Sequence, residues 1–262
     1  MASDIVDLSS ELTLALALAD AADELTSRHF RAPGLVIDTK ADNTEVTLAD
    51  RNAETAIRNM LSEHRPHDGI LGEEHGTVDG TSGRRWVIDP IDGTSNYVRG
   101  VPLWATLIAL EDETGPVLGV ASCPALARRW WGGRGLGAFV NGEAITVSSR
   151  TDISDSFLSY SESPFWATKG RRAGIDRLRA AVVRERAFGD FWQHMLVAEG
   201  SLDIAVEAIV SHWDLSAVQA IVEASGGQFS DLDGHRRPDG GSAVSTNRQL
   251  HTLVLDILAS EP

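Results

Sequence analysis

The sequence predicts a fold that mixes α-helices and β-strands in two packed halves of a single domain, residues 1–262. Up to about residue 150, short apolar segments are separated by turns such as DGTSG, DETG and NGE, which favours a mainly antiparallel sheet in an α+β half. From about residue 151, strand-like and helical segments alternate, which is typical of an α/β half. The boundary is weakly marked, so we expect two packed subdomains.

Two helices are predicted before the first sheet. Residues 4–27 place leucine and alanine at helical spacing. Residues 47–63 form the second helix, with Thr47 as the N-cap and Asp50 three positions later. The strand-like segments that follow are GILG, RRWVIDP, WATLIALE, PVLGVASC, RRWWGG and GAFVNG.

The second half contains three strand-like segments and four predicted helices. The strand-like segments are FLSYS, RAFG and IAVEAIV. The predicted helices lie near 171–182, 190–199, 213–225 and 247–259.

The balance of charge excludes some classes of partner. The net charge is -15, and both nucleic acid and anionic membranes need basic patches, so neither is expected as a partner. The single cysteine, Cys123, cannot form a disulfide framework, which agrees with a reducing cytoplasm. The first residues lack a basic signal-peptide region, and the apolar run LTLALALA is too short to span a bilayer. We therefore expect a cytoplasmic protein.

The segment WVIDPIDGTSNY contains two aspartates that are candidate site residues. Asp89 follows a buried-strand run, Pro90 cannot continue the ladder of hydrogen bonds, and Gly93 opens a turn, so Asp89 and Asp92 are expected to converge at a sharp bend. Two carboxylates about 4 Å apart repel by roughly 4 kcal/mol at an effective dielectric constant of about 20. Either a shared proton or a divalent cation must offset this repulsion, and an all-oxygen site favours Mg²⁺, Mn²⁺ or Ca²⁺.

The same turn offers donors for an anion. Gly93 and Thr94 can present backbone N–H groups at the bend, an arrangement that suits phosphate. Cation ligands beside anion donors indicate a phosphate-ester site. The alternative interpretations are an acidic turn capped by aspartate and a glycosidase with two carboxylates, which would leave the DGT turn unexplained.

Three motifs in order, LGEEHG, WVIDPIDGTSNYVRGVP and WDLSAVQAIVEASGG, resemble the inositol monophosphatase family. That family includes fructose-1,6-bisphosphatases and 3′-phosphoadenosine phosphatases. The likeness runs from the first helix through DTKADNTEVTLAD to ASGGQFSDLDG, nearly the whole chain. The resemblance implies a layered α-β-α-β-α sandwich, a homodimer, and hydrolysis of a phosphate monoester that depends on two or three Mg²⁺ ions, with Mn²⁺ as a substitute.

The resemblance also implies roles for individual residues. The expected metal ligands are Glu73, Asp89, the carbonyl of Ile91, Asp92 and Asp214. The expected catalytic residues are Asp50, Thr94 and Glu73, of which Asp50 and Thr94 help to activate water. Lys40 matches a basic residue near the active site, and Glu74 either binds a water or faces solvent. For Asp214 the alternative is a helix N-cap.

Two acidic residues indicate the chemical nature of the alcohol portion of the substrate. Asp190 stands at a position where inositol phosphatases carry a small neutral residue, and Glu207 matches the family's substrate-binding glutamate. Together they favour a cationic leaving group and disfavour a second phosphate. Gly93, Thr94 and Arg186 complete the expected substrate-binding set. For Asp190 the alternative role is again that of a helix N-cap.

Stretches such as PALARRWWGGRGLGAF and GDFWQHMLVAEGSLDIAVE further resemble the actinobacterial histidinol-phosphate phosphatase branch of the family. The ammonium and imidazole groups of L-histidinol phosphate match Asp190 and Glu207. Trp104, Phe191 or Trp192 would then add apolar or cation–π contact, or else pack in the core. The alternatives are an inositol-1-monophosphatase or broad sugar-phosphate phosphatase, and a non-catalytic metal-binding protein with the same fold.

Overall fold

The computed structural model describes residues 8–39, 45–161 and 163–259. Its helices are α1 Ser9–His29, α2 Leu48–His64, α3 Thr94–Val98, α4 Ser163–Thr168, α5 Arg172–Ala181, α6 Asp190–Ala198, α7 His212–Ala224 and α8 His251–Ala259. Its strands are β1 Ile37–Thr39, β2 Glu45–Thr47, β3 Gly69–Gly72, β4 Gly76–Val78, β5 Arg85–Asp92, β6 Ala105–Asp112, β7 Gly115–Cys123, β8 Arg128–Gly133, β9 Gly137–Val140, β10 Glu143–Ile145, β11 Phe157–Tyr160, β12 Arg184–Arg186, β13 Ile204–Glu207, β14 Gln228–Ser230 and β15 Ala243–Thr246. Lys40 lies outside the described residues, so its expected place near the active site stays a prediction.

Eight strands form the large sheet, in the order β10-β9-β8-β7-β6-β5-β3-β4. Every neighbouring pair is antiparallel except β3 and β5, which are parallel. The turns between the apolar segments therefore predicted this sheet correctly.

The smaller sheet has five strands in the order β12-β11-β13-β15-β14. Strand β11 runs parallel to both β12 and β13, whereas β15 is antiparallel to β13 and β14. Strands β1 and β2 form a separate antiparallel pair. The division of the chain into two halves of one domain stays a prediction.

Helices cover the outer face of each sheet. On the large sheet, Leu18 of α1 and Ile57 of α2 are fully buried in one apolar cluster with Trp86 of β5. On the small sheet, Leu178 of α5 and Val254 of α8 pack in a cluster with residues of β11, β13 and β15. Burying the apolar stripe of each helix against a sheet is the main stabilising term here.

Between the sheets lie α6 and α7. Val218 of α7 and Met195 of α6 share an apolar cluster with Leu107 of the large sheet and Phe229 of the small one. The layers therefore follow the order α-β-α-β-α, which confirms the predicted fold class. Among the described helices, none has the length and apolar character needed to cross a bilayer.

Some predicted boundaries were wrong. The helix expected over 247–259 begins at His251, because Arg248 has φ 71 and the Asn247 side chain caps the backbone N–H of Leu250 at 3.3 Å. The segment RAFG is a strand only at its first residue, and Gly189 has φ 75 before α6. Helix α4 has no counterpart among the sequence predictions.

Candidate active site

Strand β5 ends in an irregularity that brings two carboxylates to one side. Asp89 pairs with Leu107 and Asp92 with Ala105, so three steps on β5 oppose two steps on β6. In a regular strand, residues three apart point to opposite faces, and the extra residue of a bulge corrects this. The carbonyl of Pro90 accepts the hydroxyl of Thr106 at 2.8 Å. The strand therefore continues to Asp92, whereas the sequence predicted that it ends at Asp89.

Gly93 makes the turn that follows. Its φ of 82 lies in the left-handed region, and it is the N-cap of α3. A Cβ atom at this position would lie 3.0 Å from the carbonyl of Leu103 and 3.3 Å from a carboxylate oxygen of Asp190. Both the backbone conformation and the space favour glycine here.

Asp50 reaches this turn from α2. Its Oδ2 accepts hydrogen bonds from the backbone N–H of Thr47 at 2.8 Å and from the Thr47 hydroxyl at 2.6 Å, which confirms the predicted N-cap. Its Oδ1 lies 3.2 Å from the hydroxyl oxygen of Thr94, and the same hydroxyl oxygen lies 2.8 Å from the carbonyl oxygen of Ile91, so the hydroxyl can donate to either acceptor. Asp50 is fully buried, and burial raises its pKa.

Asp214 belongs to a different element and lies on the first turn of α7. The N-cap is Ser211, and Asp214 is the third helical residue, accepting the backbone N–H of Ser211 at 2.8 Å. The N-cap alternative for Asp214 was therefore wrong. One carboxylate oxygen each from Asp89, Asp92 and Asp214 lies within 4.8 Å of the others.

This proximity has a large electrostatic cost. Burial, followed by the charges of Glu73, Asp92 and Asp214, raises the pKa of Asp89 well above its usual range. Burial, followed by the charges of Asp190 and Asp214, does the same to the pKa of Asp92. Burial is also the main cause that raises the pKa of Asp214 to about 7. Oxygen donors gathered at this cost fit a hard divalent cation, which would replace the protons.

Two glutamates follow β3. The backbone N–H of Glu73 donates to the carbonyl of Ile88 at 3.2 Å, and the half-buried side chain acts electrostatically on both Asp89 and Asp214. The backbone N–H of the next residue, Glu74, donates to Oε2 of Glu54 at 2.7 Å. Glu73 therefore belongs to the carboxylate cluster.

Asp190 stands at the start of α6, with φ 49. The N-cap position belongs to Gly189, so the N-cap alternative for Asp190 was wrong. The Asp190 carboxylate accepts a hydrogen bond from Nδ2 of Asn96 at 2.9 Å. The next backbone N–H, that of Phe191, donates to Oδ2 of Asp92 at 2.7 Å, which ties this turn to the carboxylate cluster.

Glu207 ends β13 and is buried. Its charge raises the pKa values of Asp92 and Asp214, which places it beside the cluster. Arg186 is exposed at the end of β12, and among the described residues its guanidinium bonds to the carbonyl of Glu185 at 2.7 Å.

The three aromatic candidates differ in their surroundings. Trp104 is fully buried and packs edge-on against Tyr97. Phe191 is buried and packs edge-on against Trp130. Core packing accounts for both side chains, while Trp192 is half-buried.

Two residues at the site were missed by the sequence reasoning. Asn96 holds Asp190, and His194 contacts Glu207. A signal existed for His194, because a histidine inside the apolar helix DFWQHMLVA is buried and needs polar partners.

Comparison with known proteins identifies the family of the chain. The model of the inositol monophosphatase family matches residues 7–261. The chain is 51% identical to a histidinol-phosphatase from Mycobacterium tuberculosis (94% of this chain, 96% of the relative) and 48% identical to one from Streptomyces coelicolor (96% and 98%). An inositol monophosphatase from Zymomonas mobilis has a similar structure, with a TM-score of 0.85, 30% identity, and coverage of 97% of this chain and 99% of that one. The chain belongs to the inositol monophosphatase family.

Proposed function

We propose that the chain is a Mg²⁺-dependent phosphoric monoester hydrolase that converts L-histidinol phosphate and water into L-histidinol and phosphate. The observation that carries the proposal is the convergence of Asp89, Asp92 and Asp214, with Asp190 and Glu207 at the edge of the same cluster. The names of the relatives at 48–51% identity support this substrate.

The proposed ligands are the carboxylates of Glu73, Asp89, Asp92 and Asp214 and the carbonyl of Ile91. We expect two or three Mg²⁺ ions, with Mn²⁺ as a substitute. When bound, the cations offset the carboxylate charge, polarise the phosphate and water, and stabilise the leaving oxygen.

The chain's own residues would orient the reactants and move a proton. The backbone N–H groups of Gly93 and Thr94 bind phosphate oxygens at the turn. The attacking water forms a bond to phosphorus as the bond to the histidinol oxygen breaks, and that oxygen takes up a proton from a second water to give L-histidinol. The water loses its proton towards the Thr94 hydroxyl and Asp50, which lie 3.2 Å apart. Glu73 completes the proposed catalytic set beside them.

The alcohol portion of the substrate is selected by charge. Asp190 and Glu207 add two acids beside a cluster that is already acidic. An ammonium or imidazolium group is attracted there, and a second phosphate is repelled. Arg186 is retained as a proposed substrate contact. The second candidate, an inositol-1-monophosphatase, is favoured by the fold shared with the Zymomonas enzyme.

A side-by-side assay separates the two candidates. Phosphate release from L-histidinol phosphate and from inositol 1-phosphate is measured with the same enzyme and Mg²⁺. We expect a higher kcat/KM for L-histidinol phosphate. Equal or better turnover of inositol 1-phosphate would exclude the proposed substrate, and no turnover of any monoester despite bound Mg²⁺ would favour a non-catalytic metal-binding protein.

Asp190→Ala tests the charge argument within the same assay. We expect this substitution to lower kcat/KM mainly for L-histidinol phosphate, because inositol is neutral and gains no charge attraction from the Asp190 carboxylate. Asp176→Ala is the control, since Asp176 is an exposed acid on α5 whose partners are the surface residues Arg172 and Arg179. An unchanged kcat/KM in Asp190→Ala would remove the assigned role.

We further propose that the protein is a cytoplasmic homodimer whose two halves form one domain. Light scattering during size-exclusion chromatography measures the mass against the 28.2 kDa of one chain. A single cooperative unfolding transition is expected for the one domain.

A further inference from the structure

A histidine is buried behind Glu207, one of the two acids that are proposed to bind the alcohol portion of the substrate. His194 of α6 is 1% exposed and lies between Glu207 of β13 and Ser245 of β15. Its Nε2 is 3.2 Å from Oε2 of Glu207, and its Nδ1 is 2.8 Å from the hydroxyl oxygen of Ser245. The three residues come from three elements, so the arrangement depends on the packing of α6 against the small sheet.

The partners determine where the ring proton lies. An ionised carboxylate only accepts, so Nε2 must carry the hydrogen that faces Glu207. In the neutral ring Nδ1 then accepts, and the hydroxyl of Ser245 is its donor. The result is a directed chain of hydrogen bonds from Ser245 through His194 to Glu207.

These hydrogen bonds engage one carboxylate oxygen of Glu207 and leave the other oxygen available to a ligand. The Glu207 side chain is 10% exposed, and among the described residues no donor bonds to its Oε1. A glutamate side chain has several rotatable bonds, and fixing them when a ligand binds costs free energy. A donor that already orders the side chain in the free protein lowers this cost of binding.

We propose that His194 is a positioning residue: together with Ser245 it holds Glu207 so that Oε1 receives the cationic group of the alcohol portion of the substrate. This inference rests on the proposed function, because it assigns a selective role to Glu207. A purely structural histidine would alter stability and the turnover of all substrates together.

Two substitutions distinguish the contribution of Nε2 from that of Nδ1. The amide nitrogen of glutamine lies about as far from the backbone as Nε2 of histidine, and that of asparagine about as far as Nδ1. His194→Gln therefore keeps a donor for Glu207, whereas His194→Asn keeps only the link to Ser245.

His251 is a matched control. It is also 1% exposed, and it contacts two hydroxyl groups, Ser230 at 2.9 Å and Thr246 at 3.1 Å. Thr246 adjoins Ser245 on β15, and adjacent strand residues point to opposite faces. His251→Asn therefore keeps the contact with Thr246 and removes the Nε2 contact with Ser230, on the side away from Glu207.

The measurement is selectivity, the ratio of kcat/KM for L-histidinol phosphate to kcat/KM for p-nitrophenyl phosphate, whose leaving group carries no ammonium. His194→Asn is expected to lower this ratio about tenfold, mainly through KM, since a hydrogen bond to a charged group is lost. His194→Gln should stay within about threefold of the wild type, and His251→Asn within about twofold. If His194→Asn does not fold, Ser245→Ala takes its place, with a smaller fall in the same ratio.

The proposal is overturned if the ratio in His194→Asn stays within about twofold of the wild type, or if His194→Gln or His251→Asn lowers it as much. Failure of the proposed function looks different. The wild-type enzyme would then prefer inositol 1-phosphate, which carries no cationic group, so the role assigned to Oε1 would be wrong as well. Whether His194 positions Glu207 would still be tested by the same ratio with inositol 1-phosphate in place of L-histidinol phosphate.

Discussion

Glu111 anchors the helix that carries Asp214, and replacing it with glutamine should weaken the fold by a predictable amount. Its Oε1 accepts hydrogen bonds from Nε2 of His212 at 2.8 Å and from the hydroxyl of Ser216 at 2.5 Å, both on the first turns of α7. Its Oε2 accepts from the guanidinium of Arg85 at 2.6 Å. Glu111→Gln keeps the shape of the side chain and removes its charge.

The pKa of Glu111 gives the magnitude. Burial raises this pKa, but the hydrogen bonds from His212 and Ser216 and the contact with Arg85 outweigh burial and lower it from 4.5 to about 2. At 1.36 kcal/mol per unit, the difference corresponds to about 3 kcal/mol. Because the folded-state pKa is depressed, this contribution is present above pH 4.5 and is lost as the pH falls towards 2. At pH 7 the melting temperature of Glu111→Gln should fall by roughly 6–12 °C.

Urea unfolding of both proteins at pH 7 and near pH 3 provides the assay. The difference in the free energy of unfolding should shrink to roughly half its pH 7 value near pH 3. Glu223→Gln on the same helix is the control, because Glu223 pairs with the half-exposed Arg236 and should cost less than about 1 kcal/mol. The reasoning is refuted if Glu111→Gln matches the control at pH 7, or if its deficit does not depend on pH.

Three further substitutions test other parts of the structure. Asp214→Asn should abolish the rise in melting temperature that Mg²⁺ gives the wild type, because a cation that binds only the folded state stabilises it; a retained shift would argue against Asp214 as a ligand. Burial lowers the pKa of His251 from 6.5 to about 4, so its contribution to stability is present above pH 6.5 and is lost as the pH falls towards 4. His251→Gln should therefore flatten the loss of stability in that window, and an unchanged slope in urea unfolding would contradict this. Gly119→Ala should destabilise by about 1–3 kcal/mol, since the new Cβ would lie 2.4 Å from the carbonyl oxygen of Ala217; an unchanged urea midpoint would show that α7 shifts without cost.

The parts of the site that could be predicted from the sequence are those in which neighbouring residues act on each other. The capping box of Thr47 and Asp50 spans three residues, and its pattern is visible in the sequence. Turn residues likewise revealed the antiparallel order of the large sheet, because consecutive strands in such a sheet are neighbours. The convergence of Asp89 and Asp92 was expected for partly the wrong reason, since a bulge rather than a strand end brings them together.

Contacts between distant residues could not be predicted from the sequence. Glu111 meets His212 across 101 positions, and no local pattern relates an acid at the end of a strand to a helix that begins so much later. The same holds for Asn96 and Asp190, which are 94 positions apart. Only a buried histidine or glutamate in an apolar segment signals that some partner must exist, without saying which.

Five acids of the site share a feature that connects their geometry to the proposed chemistry. They are held by polar donors that carry no fixed positive charge: Asp50 by Thr47, Asp89 by the N–H of Ile91, Asp92 by the N–H of Phe191, Glu207 by His194 and Asp214 by the N–H of Ser211. Within the described part of the chain, no arginine or lysine forms a salt bridge with Asp89, Asp92 or Asp214. Such donors orient a carboxylate but leave most of its charge uncompensated, so the site keeps its affinity for cations. A built-in arginine would have stabilised the protein alone and weakened the binding of both a metal ion and a cationic substrate.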